Sequence, residues 1–436
     1  MIRFATALFL GAAVALPARA EVDIQTVTST SGIDAWLVEE HSLPFIAIEI
    51  AFKGGTSLDV QGKRGAVNLM AGLLEEGSGD LDARGFARAT EVLATSFSFS
   101  SSPEELSISA RFLTENFDAS VALLRDAMQK PRFDEADIER VRAQVISGLA
   151  FDAKDPNEIA SKTFAAMAYG EHPYGTVDAG TVETVAGLTR EDLLEAHENV
   201  LVRDRVLVGA VGDITPEQLG ALLDAVLGDL PQSGPMMPPM VEPQIEGGVT
   251  VVDFDTPQSV ALFGQRGIGV DDDDYFAAVL LNQILGGGSF ESRLMQEVRE
   301  KRGLTYGVYS YLASRDLANA MMGQVSSAND RIAEAVAVIR DQWRLAAEQG
   351  VTEQELTNAK TYLTGAYPLR FDGNATIAGI LVGMQMIGLE PDYVNTRNER
   401  VERVTLEDVQ RVAADLLDPD ALHFVVVGKP EGLVAN

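Results

Sequence analysis

The feature that most narrows the fold of this chain is an internal duplication. Residues 185–193 read VAGLTREDL and residues 401–409 read VERVTLEDV. Residues 205–213 (RVLVGAVGD) are matched by 422–430 (LHFVVVGKP). Thr189 and Thr405 lie 216 positions apart, as do Gly212 and Gly428, so two separate matches share one register. Self-similarity at a fixed offset means that one supersecondary plan is used twice. Each threonine precedes an acid by three residues, Asp192 and Asp408, which predicts a helix N-cap. Each apolar run ends in a glycine, which predicts a strand closed by a turn.

Other segments follow the same plan with small shifts. Residues 134–137 and 352–355 open matching helices, the first with Ile138, Val141, Val145 and Leu149 on one face. Residues 45–52 and 260–265 read as equivalent strands. Residues 95–101 and 106–112 read as a hairpin, with Leu106, Ile108, Ala110 and Phe112 alternating with polar neighbours. Residues 330–345 form an amphipathic helix with Ile332, Val336, Ile339 and Trp343 inward. Pro231, Pro235, Pro238, Pro239 and Pro243 predict an extended linker over 230–248. The expectation is an α+β chain with two similar tandem lobes, 21–229 and 249–436. Each is a mostly antiparallel sheet with helices packed on one face.

The first twenty residues read as a secretory signal. Arg3, a short apolar stretch over 4–16 and the triplet Ala18-Arg19-Ala20 occur in the order that signal requires, with cleavage after Ala20. The stretch is too short to span a membrane, and no later segment is long enough. The expected destination is the periplasm, and release to the outside stays open. The 436 residues include no cysteine, which excludes disulfides, thiol nucleophiles, iron–sulfur clusters and cysteine-ligated zinc. The net charge of −31 becomes more negative by two when Arg3 and Arg19 leave with the signal. Such a surface repels phosphate backbones and argues against a nucleic-acid partner, while a basic or neutral peptide is compatible with it.

The most distinctive stretch is 285–310, LGGGSFESRLMQEVREKRGLTYGVYS. Gly286, Gly287 and Gly288 break one helix, and Ser289 is a candidate cap for the next. Leu294 and Val298 mark that helix's apolar stripe. The basic turn 299–302 complements the helix dipole, and Gly303 stops the helix. A strand then starts at Leu304, with Tyr306, Val308 and Ser310 on one face. By spacing alone, Arg299 reads as a dipole-compensating surface arginine and Tyr306 as a core-edge tyrosine. The glycine run is no phosphate loop, because no Gly-Lys-Ser/Thr follows it. His41, His172, His197 and His423 are scattered without metal-ligand spacing. The acidic run 271–274 lacks the ligand spacing of a calcium loop and reads as a solvated turn.

The stretch LMQEVREKRGLTYGVYS (294–310) resembles the C-terminal-half signature of the insulinase/pitrilysin family of zinc peptidases. The duplicated halves, the linker and the HPYG run at 172–175 resemble that family too, over essentially the whole chain after the signal. The resemblance implies that Arg299 and Tyr306 contact a peptide substrate near the scissile bond. It also implies a zinc site in the first half, where the family carries His-x-x-Glu-His on one helix and a glutamate on a later one. The corresponding stretch 65–77, GAVNLMAGLLEEG, places Asn68, Ala71 and Gly72 where His, Glu and His would stand. Glu75 and Glu76 come a turn too late, and no acid lies between Arg140 and Phe151 on the later helix.

What the resemblance implies is therefore a chain with no catalytic residue, metal or cofactor of its own. It would be the non-catalytic subunit of an exported two-chain peptidase, inert alone. It would bind peptide and supply Arg299 and Tyr306 to the active site of a homologous partner that carries the zinc. Two alternatives stand beside this: a scaffold or peptide-binding protein with no hydrolytic partner, and a zinc peptidase with an atypical site.

Overall fold

The computed structural model describes residues 22–288 and 290–435. The secretory signal expected over 1–20 and the cap expected at Ser289 lie outside the described residues. The first half contributes β1 (Gln25–Thr28), β2 (Asp34–Glu39), β3 (Phe45–Lys53), a ribbon of β4 (Gly77–Ser78) with β5 (Leu81–Asp82), a hairpin of β6 (Ser96–Ser101) and β7 (Glu105–Leu113), and β8 (Val206–Gly212). Apart from the ribbon these form one sheet in the order β1-β2-β8-β3-β7-β6. The second half contributes β9 (Gly248–Asp253), β10 (Gln258–Arg266), β11 (Val308–Ser314), β12 (Asn319–Ala328) and β13 (His423–Gly428), in the order β11-β12-β10-β13-β9. Among the described residues only β2 with β8 and β13 with β9 run parallel.

The duplication is visible in this topology. β3 lies between β8 and β7, and β10 lies between β13 and β12. Thr189 and Thr405 cap the helices Arg190–Val200 and Leu406–Leu416 through reciprocal bonds with Asp192 and Asp408. These satisfy amide groups that a helix start leaves open.

Each sheet buries one face under helices of its own half. Ile46, Ile48, Ile50 and Phe52 of β3 meet Leu106, Ile108 and Phe112 of β7 in the first core. Phe263, Phe424 and the inward stripe Ile332, Val336, Ile339 and Trp343 build the second. Each such side chain, fully buried, stabilises the fold by about 1.5–3 kcal/mol.

The other face of each sheet is covered by a helix from the opposite half. The helix Asn374–Met386 lays Ala378, Leu381 and Met384 against Trp36 and Val211, and Val382 and Met386 against Ala51. In return, Ala160, Phe164 and Ala168 of the helix Pro156–Tyr169 pack on Leu262, Met322, Val425 and Val427. Two strand glycines allow the approach. A Cβ on Gly209 would lie 2.6 Å from the Ala378 carbonyl oxygen, and one on Gly264 would lie 2.8 Å from Phe164 Cζ. The halves are thus bound by exchanged helices as well as by the segment 231–247. That segment has no helix or strand, but it is pinned by bonds such as Val241 N–H to Leu317 O, 2.8 Å, and Gln244 N–H to Ala168 O, 2.7 Å.

Candidate functional site

The helix Ala66–Ala71 carries the first set of candidate residues. It starts at Gly65, whose φ of 96° is unfavourable for other residues. Its first turn is capped from outside by Asp59, whose carboxylate accepts from the Gly65 and Val67 N–H groups at 2.8 Å each. Burial pushes the Asp59 carboxyl up to about 6, against the pull of those donors and of Arg64.

Asn68 is half-buried, and its amide donates to Ser101 Oγ at the end of β6, 3.3 Å away. Ala71 is buried. A Cβ on Gly72 would stand 3.3 Å from Val141 Cγ1, on the helix Glu135–Asp152. The positions that would have to hold zinc therefore present an amide, a methyl and a hydrogen. That donor set does not fit the ion, which takes imidazole, thiolate or carboxylate. Among the described residues no group of three or more His, Asp or Glu is arranged to hold a metal.

The histidines have local partners. His41 lies between Glu39 and Asp213, and His172 shares hydrogen bonds with Tyr174 N–H and Pro239 O. His197 pairs with Met128 O, and His423 sits between Thr250 and Glu246 O. Asp274, in the acidic run, is forked to Arg411 at 2.6 Å on both oxygens.

The second set lies in the other half. Leu294 and Val298 are fully buried, as the stripe predicts. The turn Met295–Glu300 is π-helical, with Lys301 N–H bonding Gln296 O at 2.9 Å. Such turns are rare and recur at functional sites. Gly303, at φ 59°, ends the helix, with bonds from Gly303 N–H to Arg299 O and from Leu304 N–H to Val298 O. Lys301 and Arg302 both pair with Glu297. Arg299 instead lies 4.8 Å over the Phe290 ring, with a 3.5 Å contact to the exposed Glu300. A contact of that length, half-open to solvent, is weak and leaves the guanidinium available.

Tyr306 is not in a strand. β11 begins at Val308, and Tyr306 occupies a bend, 88 % exposed. The cause is Thr305. Its hydroxyl donates to Ser326 O at 2.7 Å and accepts from Gly307 N–H at 3.1 Å, replacing ladder bonds with a side-chain turn. Val308 and Ser310 do share a buried face, without Tyr306. On the other face Tyr309 and Tyr311 stack, 6.2 Å between ring centroids. Two tyrosines two positions apart on an edge strand are the signal the sequence carries for this pair. Among the described residues no hydrogen bond or ion pair joins Arg299 to Tyr306, or either of them to the helix Ala66–Ala71. The two stand on either side of the Gly303 stop.

Comparison with known proteins follows the same division. The profile of the insulinase family (peptidase family M16) matches residues 36–181, and that of the peptidase M16 inactive domain matches residues 187–363. A Helicobacter pylori protein named non-peptidase homolog YmxG is 28% identical over 391 residues, 89% of this chain and 90% of its own. An uncharacterized zinc protease of Mycobacterium tuberculosis is 28% identical over 357 residues, 81% of each chain. The crystal structure of a peptidase M16 inactive domain from Pseudomonas fluorescens superposes with a TM-score of 0.87 at 28% identity, covering 94% of this chain and all of the other. With two profiles matching in tandem and Asn68, Ala71 and Gly72 at the zinc positions, the chain belongs to the insulinase (M16) peptidase family, as a member without a peptidase site of its own.

Proposed function

We propose that this chain is the non-catalytic subunit of an exported two-chain zinc peptidase. It binds an extended peptide and supplies Arg299 and Tyr306 to the active site of a zinc-bearing partner of the same family. Tyr306 carries the reading: an 88 % exposed tyrosine with no side-chain hydrogen bond among the described residues, held in a side-chain-built bend a few residues after a π-helical arginine, contributes little to the fold. Zinc on the partner would polarise the peptide carbonyl and activate water. The guanidinium of Arg299 and the phenol of Tyr306 are hydrogen-bond donors, directed in this reading at the peptide or at the developing oxyanion. One positioned donor is worth about 3–4 kcal/mol in a transition state. The edge strand β6 offers its outer backbone groups to an extended chain.

The test is reconstitution. This chain is mixed with a homologous chain bearing His-x-x-Glu-His, and cleavage of a peptide library is compared with each chain alone. Cleavage by the mixture only, lowered by Arg299→Ala and by Tyr306→Phe, supports the reading. Equal cleavage by the partner alone, or unchanged turnover in both variants, sinks it. Export to the periplasm rests on residues 1–20, and a native N-terminus other than Glu21 would overturn the cleavage site.

A further inference from the structure

A cavity of about 540 Å³ opens where the helix Asn374–Met386, which covers the first half's sheet, meets the outer helices of its own half. Its lining includes neither Arg299 nor Tyr306, nor any part of the helix Ala66–Ala71. The volume is that of a small-molecule site.

Five aromatic residues line it, beside aliphatic side chains such as Val279 and Ile380. Phe276, from the helix Tyr275–Leu285, stacks on Tyr393 with centroids 6.4 Å apart. Tyr367 and Phe371, around the turn Pro368–Arg370, meet edge-on at 5.4 Å. Two arginines enter the same space. Arg397 lies 4.5 Å over the Tyr367 ring and donates to Leu363 O. Arg370 is exposed, and its guanidinium makes no hydrogen bond or ion pair among the described residues. Burial holds the Tyr367 hydroxyl up at about 12, with Arg397 and Arg370 pulling it down. In a chain of net charge −31 this is a cationic corner.

The fourth wall is unusual for a helix. Gly379 and Gly383 both line the cavity, and a Cβ on either would meet nothing within 4 Å. Glycine is the poorest helix former after proline, and no neighbour in the fold requires it here. What the two glycines leave is a flat backbone surface open to a guest.

We propose that this cavity binds an aromatic carboxylate. The ring of the guest lies over Gly379 and Gly383 between the aromatic walls, and its carboxylate meets Arg370, with Arg397 beside it. Rings supply apolar contact with defined geometry, and a guanidinium matches a carboxylate through paired N–H donors. Arg370 has no other partner to give up. The proposal does not rest on the function proposed above.

The probe is N-acetyl-phenylalanine, titrated into the full chain by calorimetry. The expected result is saturable binding of one molecule per chain. Arg370→Ala, and replacement of the acid by its amide, should each weaken binding about ten-fold, the value of one charge-assisted contact. Gly383→Leu fills the cavity and should abolish binding, with the thermal midpoint unchanged or raised. Gly379→Leu repeats that test from a second wall position if Gly383→Leu fails to fold. A peptide ending in phenylalanine separates the sources. Binding at least as tight as the free acid assigns a peptide C-terminus, and weaker binding assigns a free small carboxylate. No saturable binding at millimolar probe, equal affinity for acid and amide, or indifference to both Arg370→Ala and the leucine substitution would overturn the proposal.

Discussion

Phe164 of the first half reaches Gly264 of the second: its Cζ lies 2.8 Å from where a Cβ on that glycine would stand. Gly209 has the reciprocal relationship with the helix Asn374–Met386. The union of the halves depends on these two close approaches, and they differ in what can yield. At Gly209 the nearest atom is a helix carbonyl oxygen at 2.6 Å, whereas at Gly264 it is the flexible end of Met322. Gly209→Ala should therefore cost more than Gly264→Ala, about 1–3 kcal/mol against less. Urea denaturation of both variants checks the order; equal costs would contradict it. Phe164→Ala, which empties the same contact, should cost about 3–5 kcal/mol.

The segment bearing Arg299 is anchored by Arg293, which forks onto Glu355 at 2.7 and 2.8 Å. Glu355 also closes the capping box with Thr352. Burial pushes the Glu355 carboxyl up, but the Arg293 fork and the Thr352 N–H outweigh it and hold it down at about 2. Its folded value lies below the unfolded one near 4.5, so its contribution is fully present above pH 4.5 and is lost as pH falls toward 2. Glu355→Gln keeps the cap and removes the charge. With discount for solvent screening, the variant should be about 1–2 kcal/mol less stable at pH 7. That gap should close in denaturation curves taken near pH 2.5.

Asp59 has the opposite sign. Its folded value, pushed up to about 6, exceeds the unfolded 3.8, so the folded state holds more protons between those values. Its contribution to stability is therefore greatest below pH 3.8 and declines as pH rises through 6. The wild-type chain should lose stability between pH 4 and 6.5 by an amount that Asp59→Asn does not show. Parallel curves for the two chains would remove Asp59 from the account.

Arg299 and Tyr306 should separate cleanly from the helix that supports them. Tyr306→Phe and Arg299→Ala should shift unfolding by less than about 0.5 kcal/mol, because neither side chain packs in the core. Leu294→Ala, on the same helical segment and fully buried, should cost about 2–5 kcal/mol. A large stability loss in Tyr306→Phe would show that any effect on turnover is structural.

Glu104 ties the first half's hairpin to the second half. It accepts from the Tyr174 hydroxyl at 2.5 Å and from Asp316 N–H at 2.9 Å. Tyr174→Phe should cost about 1–3 kcal/mol, since it leaves Glu104 with one donor fewer. Thermal unfolding measures it, and an unchanged midpoint would show that solvent replaces the phenol.

Much of this protein could be read from the chain because the governing physics is local. Thr189 with Asp192, and Thr405 with Asp408, close capping boxes over three residues, so their helices were legible in isolation. The Gly303 stop and the alternation from Leu106 to Phe112 are equally short-range. The chemistry at positions 68, 71 and 72 was legible in the same way, because an amide, a methyl and a hydrogen are read directly from the sequence.

Only the tertiary structure decided the rest, and the reason is distance along the chain. The exchange of helices leaves a single trace in sequence, a glycine inside each strand, because backbone contact between remote segments has no periodicity. Tyr306 leaves its strand because the Thr305 hydroxyl finds the carbonyl of Ser326 on a neighbouring strand, a partner that no local pattern announces. The aromatic cavity draws on the region from Tyr275 to Arg397, and Gly379 and Gly383 look like weak helix residues until the space they leave open is seen.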